Sequence, residues 1–238
     1  MSKLWRTVKR IFLWSVALFF GLSIFFTVLY RWVNPPVTPL MIIRLFNQYG
    51  KDKPLTLKKD WVALKDISPS MVQAVIASED NLFLQHHGFD WSAIDKARTR
   101  NKNKKRRIHG GSTITQQTAK NVFLYPRRSY IRKGLEAYFT VLMEFFWSKE
   151  RIIEVYLNVI EMGDGIYGIE QAAQTYYNRP AMRLTKRQSA MIAVILPDPR
   201  HRNPSHPSAY MIKRQATILN LMDRIGDVTF QRQTVKPM

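Results

Sequence analysis

Hydrophobic positions fall into two regimes along the chain. Ile11 to Tyr30 is a run of 20 residues without a charged side chain, and at ~1.5 Å per residue such a helix spans the roughly 30 Å hydrocarbon core of a bilayer. Beyond it, apolar residues recur at helical spacing. Ser68-Pro69 predicts an N-cap and a first helical residue, and Val72, Val75 and Ile76 follow as the i, i+3, i+4 stripe of a buried helix. Thr113 with Gln116 fits a capping box. Ile131, Leu135, Tyr138, Leu142 and Phe146 form a further stripe. Ser148 caps a helix through Ile152, Ile153, Tyr156 and Leu157 that ends near Gly163. Thr185 with Gln188 opens one that reaches Leu196 and stops at Pro197, and the last runs from about Pro207 to Gly226. Alternating strand patterns are scarce and no internal repeat is visible. The predicted fold is mainly α, with a small β element near the glycine-rich loops.

Lys3, Arg6, Lys9 and Arg10 precede the long apolar run, which keeps the N-terminus cytoplasmic. Arg31 to Pro36 follows it in place of a small-x-small cleavage site, so an uncleaved anchor is expected rather than a signal peptide. The expected layout is a cytoplasmic tail over 1–10, a transmembrane helix over 11–31, a juxtamembrane linker over 32–60 and one exported globular domain over 61–238. Three prolines between Asn34 and Pro39 stiffen the exit from the membrane. Leu40 to Phe46 is apolar and suits either the bilayer interface or packing on the domain. The absence of cysteine excludes disulfides, thiolate metal sites and cysteine nucleophiles. Lys plus Arg number 37 against 17 acids, a net charge of +20, which calls for a polyanionic partner: nucleic acid, an anionic lipid surface or a phosphorylated substrate.

Against that background Glu79 stands out. It is the i+7 member of the stripe that begins at Val72, so it points inward. A carboxylate partly desolvated beside Phe83 has a raised pKa, which suits a general base or acid; a surface ion pair is the plainer alternative. His86 and His87 point to different faces, so a hydrogen bond within the fold is expected of one of them rather than a metal site. Gly110 to Gln117 is a glycine turn leading into a hydroxyl-rich helix N-terminus, a seat for phosphate, or else an ordinary capped helix. It is not a P-loop, because no Gly-Lys-Ser/Thr follows at the required spacing. Lys120 sits where it can neutralise a second phosphate. The basic run from Lys96 to His109 reads as a solvated loop; it lacks interleaved aromatics, and as a binding segment it suits anionic headgroups better than nucleic acid. Arg132 and Glu136 form an i, i+4 pair on an apolar helix, a second carboxylate flanked by cations.

Together these clusters resemble the family 51 glycosyltransferases, which polymerise lipid II into peptidoglycan. Glu79-Asp-x-x-Phe83-x-x-His86-x-Gly88-Phe89-Asp90 is similar to the first motif of that family and Gly110 to Gln117 to its second. Arg132-Lys133-x-x-Glu136 resembles the third, and Lys149-x-x-Ile152-Ile153-x-x-Tyr156-Leu157-Asn158 the fourth, with Ile153 where Leu is commoner. Arg214-x-x-x-Ile218-Leu219 is a looser match to the fifth. The resemblance covers about residues 60–225.

The resemblance implies a mainly α, lysozyme-like glycosyltransferase domain behind a single N-terminal transmembrane helix. It implies catalytic roles for Glu79, as base, and Glu136. Substrate binding is then expected of Ser112, Thr113, Gln116, Gln117, Lys120, Arg128, Arg132, Lys133 and Asn158. The implied reaction joins lipid II to a growing lipid-linked glycan, with release of undecaprenyl diphosphate, at the outer face of a bacterial inner membrane. No tightly bound cofactor is implied; a divalent cation, Mg or Mn, at the diphosphate is an option, without a dedicated set of metal ligands in the sequence. The membrane surface and cell-division or elongation proteins are the implied partners, and nucleic acid is not. Neither Ser-x-x-Lys nor Lys-Thr-Gly occurs, so a monofunctional transglycosylase without a transpeptidase domain is expected. Two alternatives stay open: a lysozyme-like muramidase that cleaves glycan, and a membrane-tethered binder acting through residues 96–109.

Overall fold

Local sequence signals set most of the element boundaries in the computed structural model, which describes residues 3–49, 55–102, 111–127 and 129–230. The α-helices among these residues are α1 (Lys3–Leu29), α2 (Pro39–Gln48), α3 (Pro69–Glu79), α4 (Trp91–Lys102), α5 (Ile114–Phe123), α6 (Tyr130–Phe146), α7 (Lys149–Val159), α8 (Ile169–Tyr177), α9 (Lys186–Ile195) and α10 (Ala209–Ile225). Both predicted capping boxes form, at Thr113/Gln116 and Thr185/Gln188. Ser129, Ser148 and Ser208 each accept the N3 amide of the helix that follows. Ser68 holds the N-cap position of α3, yet its hydroxyl donates instead to Leu184 O at 2.9 Å.

A three-stranded sheet completes the fold. β1 (Lys58–Lys59) runs parallel to β3 (Ile166–Tyr167), and β2 (Glu161–Gly163) lies antiparallel on its other edge. Helices pack in two groups that carry the candidate site between them: α3 lies against α9 and α10, while α5 lies against α6 and α7. Buried Met71, Val72, Val75 and Ile76 of α3, Ile114 and Ala119 of α5, and Ile152, Ile153 and Leu157 of α7 share one core.

Several elements differ from the sequence reading. Helix α7 ends at Val159 rather than near Gly163, because Glu161–Gly163 pair as β2, and α1 spans Lys3–Leu29 rather than 11–31, taking in residues of the expected tail. On α6 the buried line is Glu136, Phe139, Thr140 and Met143, not the stripe from Ile131 to Phe146. That stripe is half-buried from Leu135 onward, and Ile131 is exposed. The reason is α1, which packs on α6 with Phe19 and Phe20 against Tyr138, so the predicted stripe serves the anchor and the mixed line from Glu136 to Met143 faces the core. Residues Lys96 to Lys102 continue α4 as helix rather than loop, and 103–109 lie outside the described residues. Helix α8 carried no start signal, because its N-cap is Gly168 with φ +81° and no capping side chain. A Cβ at Gly168 would come within 2.8 Å of Asn158 O, so close packing selects glycine there.

Helix α1 is bonded to the domain along one side. Ser23 Oγ and Tyr138 OH lie 2.7 Å apart, and Trp147 Nε1 donates to Thr27 O at 2.7 Å. Arg151 donates to Tyr30 O, Val33 O and Asn34 Oδ1 at 2.9–3.0 Å, holding the chain as it leaves the helix. Other faces of α1 expose Leu, Phe and Trp side chains, as a helix long and apolar enough to cross a membrane would. Helix α2 turns Leu40 and Met41 into the core, so the apolar segment after the prolines packs on the domain, while Ile42 and Phe46 stay exposed.

Candidate active site

Glu79 is the last residue of α3. Its side chain keeps an open edge, but the carboxyl group lies among enough protein atoms to be desolvated, and this burial raises its pKa. A hydrogen bond from Gln117 Nε2 to Oε2, at 2.9 Å, and the charge of Arg214 on α10 oppose the rise; the neighbouring Asp80 adds to it. Behind Gln117 stands Tyr156 of α7, fully buried, whose hydroxyl donates to Gln117 Oε1 at 3.3 Å. Burial drives the phenol pKa well up, so Tyr156 stays protonated. Three helices therefore meet at one carboxylate in the series Tyr156, Gln117, Glu79.

Asp80 faces the other way. Its Oδ2 accepts the backbone N–H of Ile114 at 2.9 Å, and its Oδ1 bonds His86 Nε2 at 2.8 Å. His86 Nδ1 accepts from Gly88 N at 3.1 Å, so the ring spans its own loop with both nitrogens engaged. The expectation of a structural histidine holds for His86. Thr113 Oγ1 donates to Gly88 O at 2.7 Å and accepts from Gln116 N, while Gln116 Oε1 takes Thr113 N.

These bonds correct the reading of the α5 N-terminus as a phosphate seat. The N–H groups of Ile114 and Gln116 are already engaged, and the anion at the helix dipole is the carboxylate of Asp80. Thr113 and Gln116 are both buried and close the cap. Ser112, by contrast, is exposed. Gly110 and Arg128 lie outside the described residues.

Glu136 sits on α6, buried, in an ion pair with Arg132. Arg132 Nε is also buried and has no hydrogen-bond partner among the described residues. Lys133 is exposed beside them, and Lys120 is half-buried on α5, the helix that packs on α6. The two carboxylates hold separate sets of partners. A third, Glu144, accepts from Thr115 Oγ1 at 2.6 Å and pairs with Lys149 Nζ at 2.8 Å, and that ammonium lies 4.7 Å from the centre of the buried Phe83 ring. The donor set does not fit a protein-held divalent cation. Glu136 is matched by Arg132, and no group of three His, Asp or Glu side chains converges among the described residues.

Asn158 must be reassigned from substrate binding. It is fully buried, with its amide taken up by Val62 N, Val62 O and Glu154 O at 2.8–2.9 Å. Asp80, Tyr156 and Arg214 are not among the site residues expected from the sequence, yet all three bear on Glu79. Asp80 and Tyr156 sit inside the first and fourth motifs, so their positions were in view although their partners were not. The only signal for Arg214 was its place in the loose fifth motif, since its helix reaches Glu79 only through the packing of α10 on α3.

A family model described as transglycosylase matches residues 48–223. The chain is 50% identical over 220 residues to a biosynthetic peptidoglycan transglycosylase of Bdellovibrio bacteriovorus, covering 92% of this chain and 88% of the relative. A protein of the same description from Bacteroides thetaiotaomicron is 52% identical over 208 residues, covering 87% and 83%. One from Pseudomonas putida is 44% identical over 233 residues, covering 98% and 97%.

Proposed function

From the premise that this chain belongs to the transglycosylase family and is a glycosyltransferase, we propose that it polymerises lipid II into β-1,4-linked peptidoglycan strands. The observation that carries the reading is the state of Glu79: a desolvated carboxylate with an open edge, oriented by Gln117. In this reading Glu79 takes the proton from the 4-hydroxyl of the acceptor GlcNAc. The freed oxygen attacks C1 of the donor MurNAc as the bond to the diphosphate breaks. Attack from the opposite face inverts C1, and undecaprenyl diphosphate leaves with the bonding electrons. A raised pKa makes Glu79 the better proton acceptor once it is ionised.

Negative charge grows on the departing diphosphate, and fixed cations favour that change. Lys120, Arg132 and Lys133 serve there, with Ser112 donating a hydrogen bond; Arg128 is a further candidate. The unpartnered Nε of Arg132 supports the assignment, because a buried donor without an acceptor is suited to an incoming anion. Glu136 holds Arg132 in place by the ion pair. Both sugars hang from lipids, so an enzyme anchored by α1 meets them at the bilayer surface. We place the domain on the outer side of the inner membrane on the basis of the basic residues ahead of the apolar run.

A muramidase would use one carboxyl group as an acid and has no need of the cations around Glu136; it is not favoured. Incubation of the purified protein with lipid II tests the proposal. Wild type should yield glycan polymer, Glu79→Gln should be at least about 10²-fold slower, and moenomycin should block the reaction. Release of free sugar without polymer would overturn it.

A further inference from the structure

Tyr156 is a polar group that the reaction above leaves unused. It is fully buried on α7, and its hydroxyl donates to Gln117 Oε1 at 3.3 Å, while Gln117 Nε2 donates to Glu79 Oε2 at 2.9 Å. A carboxamide has two chemically different ends that a half-turn exchanges. Turned, it would set Oε1 against an ionised carboxylate and leave the buried phenolic O–H without the acceptor it has. We propose that Tyr156 is a positioning residue for glycosyl transfer: from inside the core it fixes which end of the Gln117 carboxamide meets Glu79. This rests on the reading of Glu79 as the base.

The consequence lies in the charge state of that base. With the N–H end presented, the ionised form of Glu79 gains a donor at Oε2, and Glu79 Oε1 is left to meet the acceptor hydroxyl. Burial keeps the phenol protonated, so it remains a donor throughout the working pH range. Among the described residues, the charged or titratable groups in reach of Glu79 are Asp80 at the end of its own helix, Arg214 from α10 and Tyr156 from α7. Helix α5 brings the neutral Gln117, and the buried residues of α9, from Ser189 to Ile195, include no titratable group. Tyr156 thus acts on Glu79 through Gln117, with no charge of its own.

The test is the pH dependence of lipid II polymerisation by the full-length protein in detergent. Tyr156→Phe keeps the ring and removes the donor. The amide is then free to turn and accept from protonated Glu79. The acidic limb of the rate profile should move up by about half a unit to one unit, as expected for loss of one oriented hydrogen bond. The alkaline plateau should be retained. Gln117→Met should raise the limb as well, and adding Tyr156→Phe to it should move the limb no further. A uniform fall at every pH, an unmoved limb, or a Tyr156→Phe shift that persists in Gln117→Met would overturn the proposal. Should Tyr156→Phe fail to fold, Gln117→Met alone decides, since an unmoved limb there removes the link. Failure of the parent reading looks different: Glu79→Gln would then polymerise lipid II at the wild-type rate.

Discussion

Asp80 and Ile114 are joined by a 2.9 Å hydrogen bond from the first amide of α5 to the carboxylate that follows α3. The bond ties the loop that begins at Glu79 to the helix that carries Gln117. Asp80→Ala leaves that amide and the His86 ring without their acceptor, at about 1–3 kcal/mol for each buried group left unpaired. Urea denaturation should show the loss. The charge of Asp80 also raises the Glu79 pKa, so the acidic limb of whatever activity survives should move to lower pH.

Glu79→Gln should separate activity from stability. Polymerisation should fall by about 10²–10⁴-fold, the usual contribution of a general base. Burial is the largest cause acting on the Glu79 pKa and raises it above the unfolded value. The folded chain therefore binds the extra proton, and its stability is full below the unfolded pKa and lost as pH rises through the folded one. At neutral pH the neutral glutamine relieves that loss. Thermal melting should rise at neutral pH, by roughly 2–4 °C for each kcal/mol relieved, and the gain should vanish in acid. The wild-type rate should in turn fall with acid at a pH above the ordinary carboxylate range.

Asn158→Ala distinguishes a brace from a ligand. Its amide joins α7 to the segment around Val62, so the substitution should destabilise the fold by about 2–3 kcal/mol. KM for lipid II should be unchanged in the folded fraction. A raised KM with unchanged melting would return Asn158 to the substrate site.

Gly88 has φ +86°, and a Cβ there would lie 2.7 Å from Thr140 Cγ2 and 2.9 Å from Glu144 Cγ. Gly88→Ala combines left-handed strain with a clash against α6 and should cost about 2–4 kcal/mol. Because Gly88 N and O also hold His86 and Thr113, the rate should fall with stability, read by melting and polymerisation on the same preparation.

Helix starts and the inward phase of Glu79 were legible in the sequence because capping residues and apolar spacing are local signals. What lies between elements was not. The α5 N-terminus looked like an anion seat, and it is one, but the anion is Asp80 from another segment, a fact set by packing. The apolar stripe of α6 was read as core because nothing in its spacing says that α1 will cover it. Helix α8 escaped because a glycine chosen for close approach to Asn158 replaces a side-chain cap.

Ser23 and Thr27 of α1, and Tyr30 just beyond its end, follow one another a turn apart, and they are tied to Tyr138 of α6, Trp147 at the end of α6 and Arg151 of α7. In the anchored state proposed above, such a helix behaves as a keel rather than a leash. In that proposal it would fix the height of Glu79 over the bilayer and also the compass bearing of that carboxylate about the membrane normal. A strand growing from one copy would then leave on a heading fixed by the orientation of that helix. Anything that rotates the helix in the plane of the membrane would steer the direction in which new wall is laid.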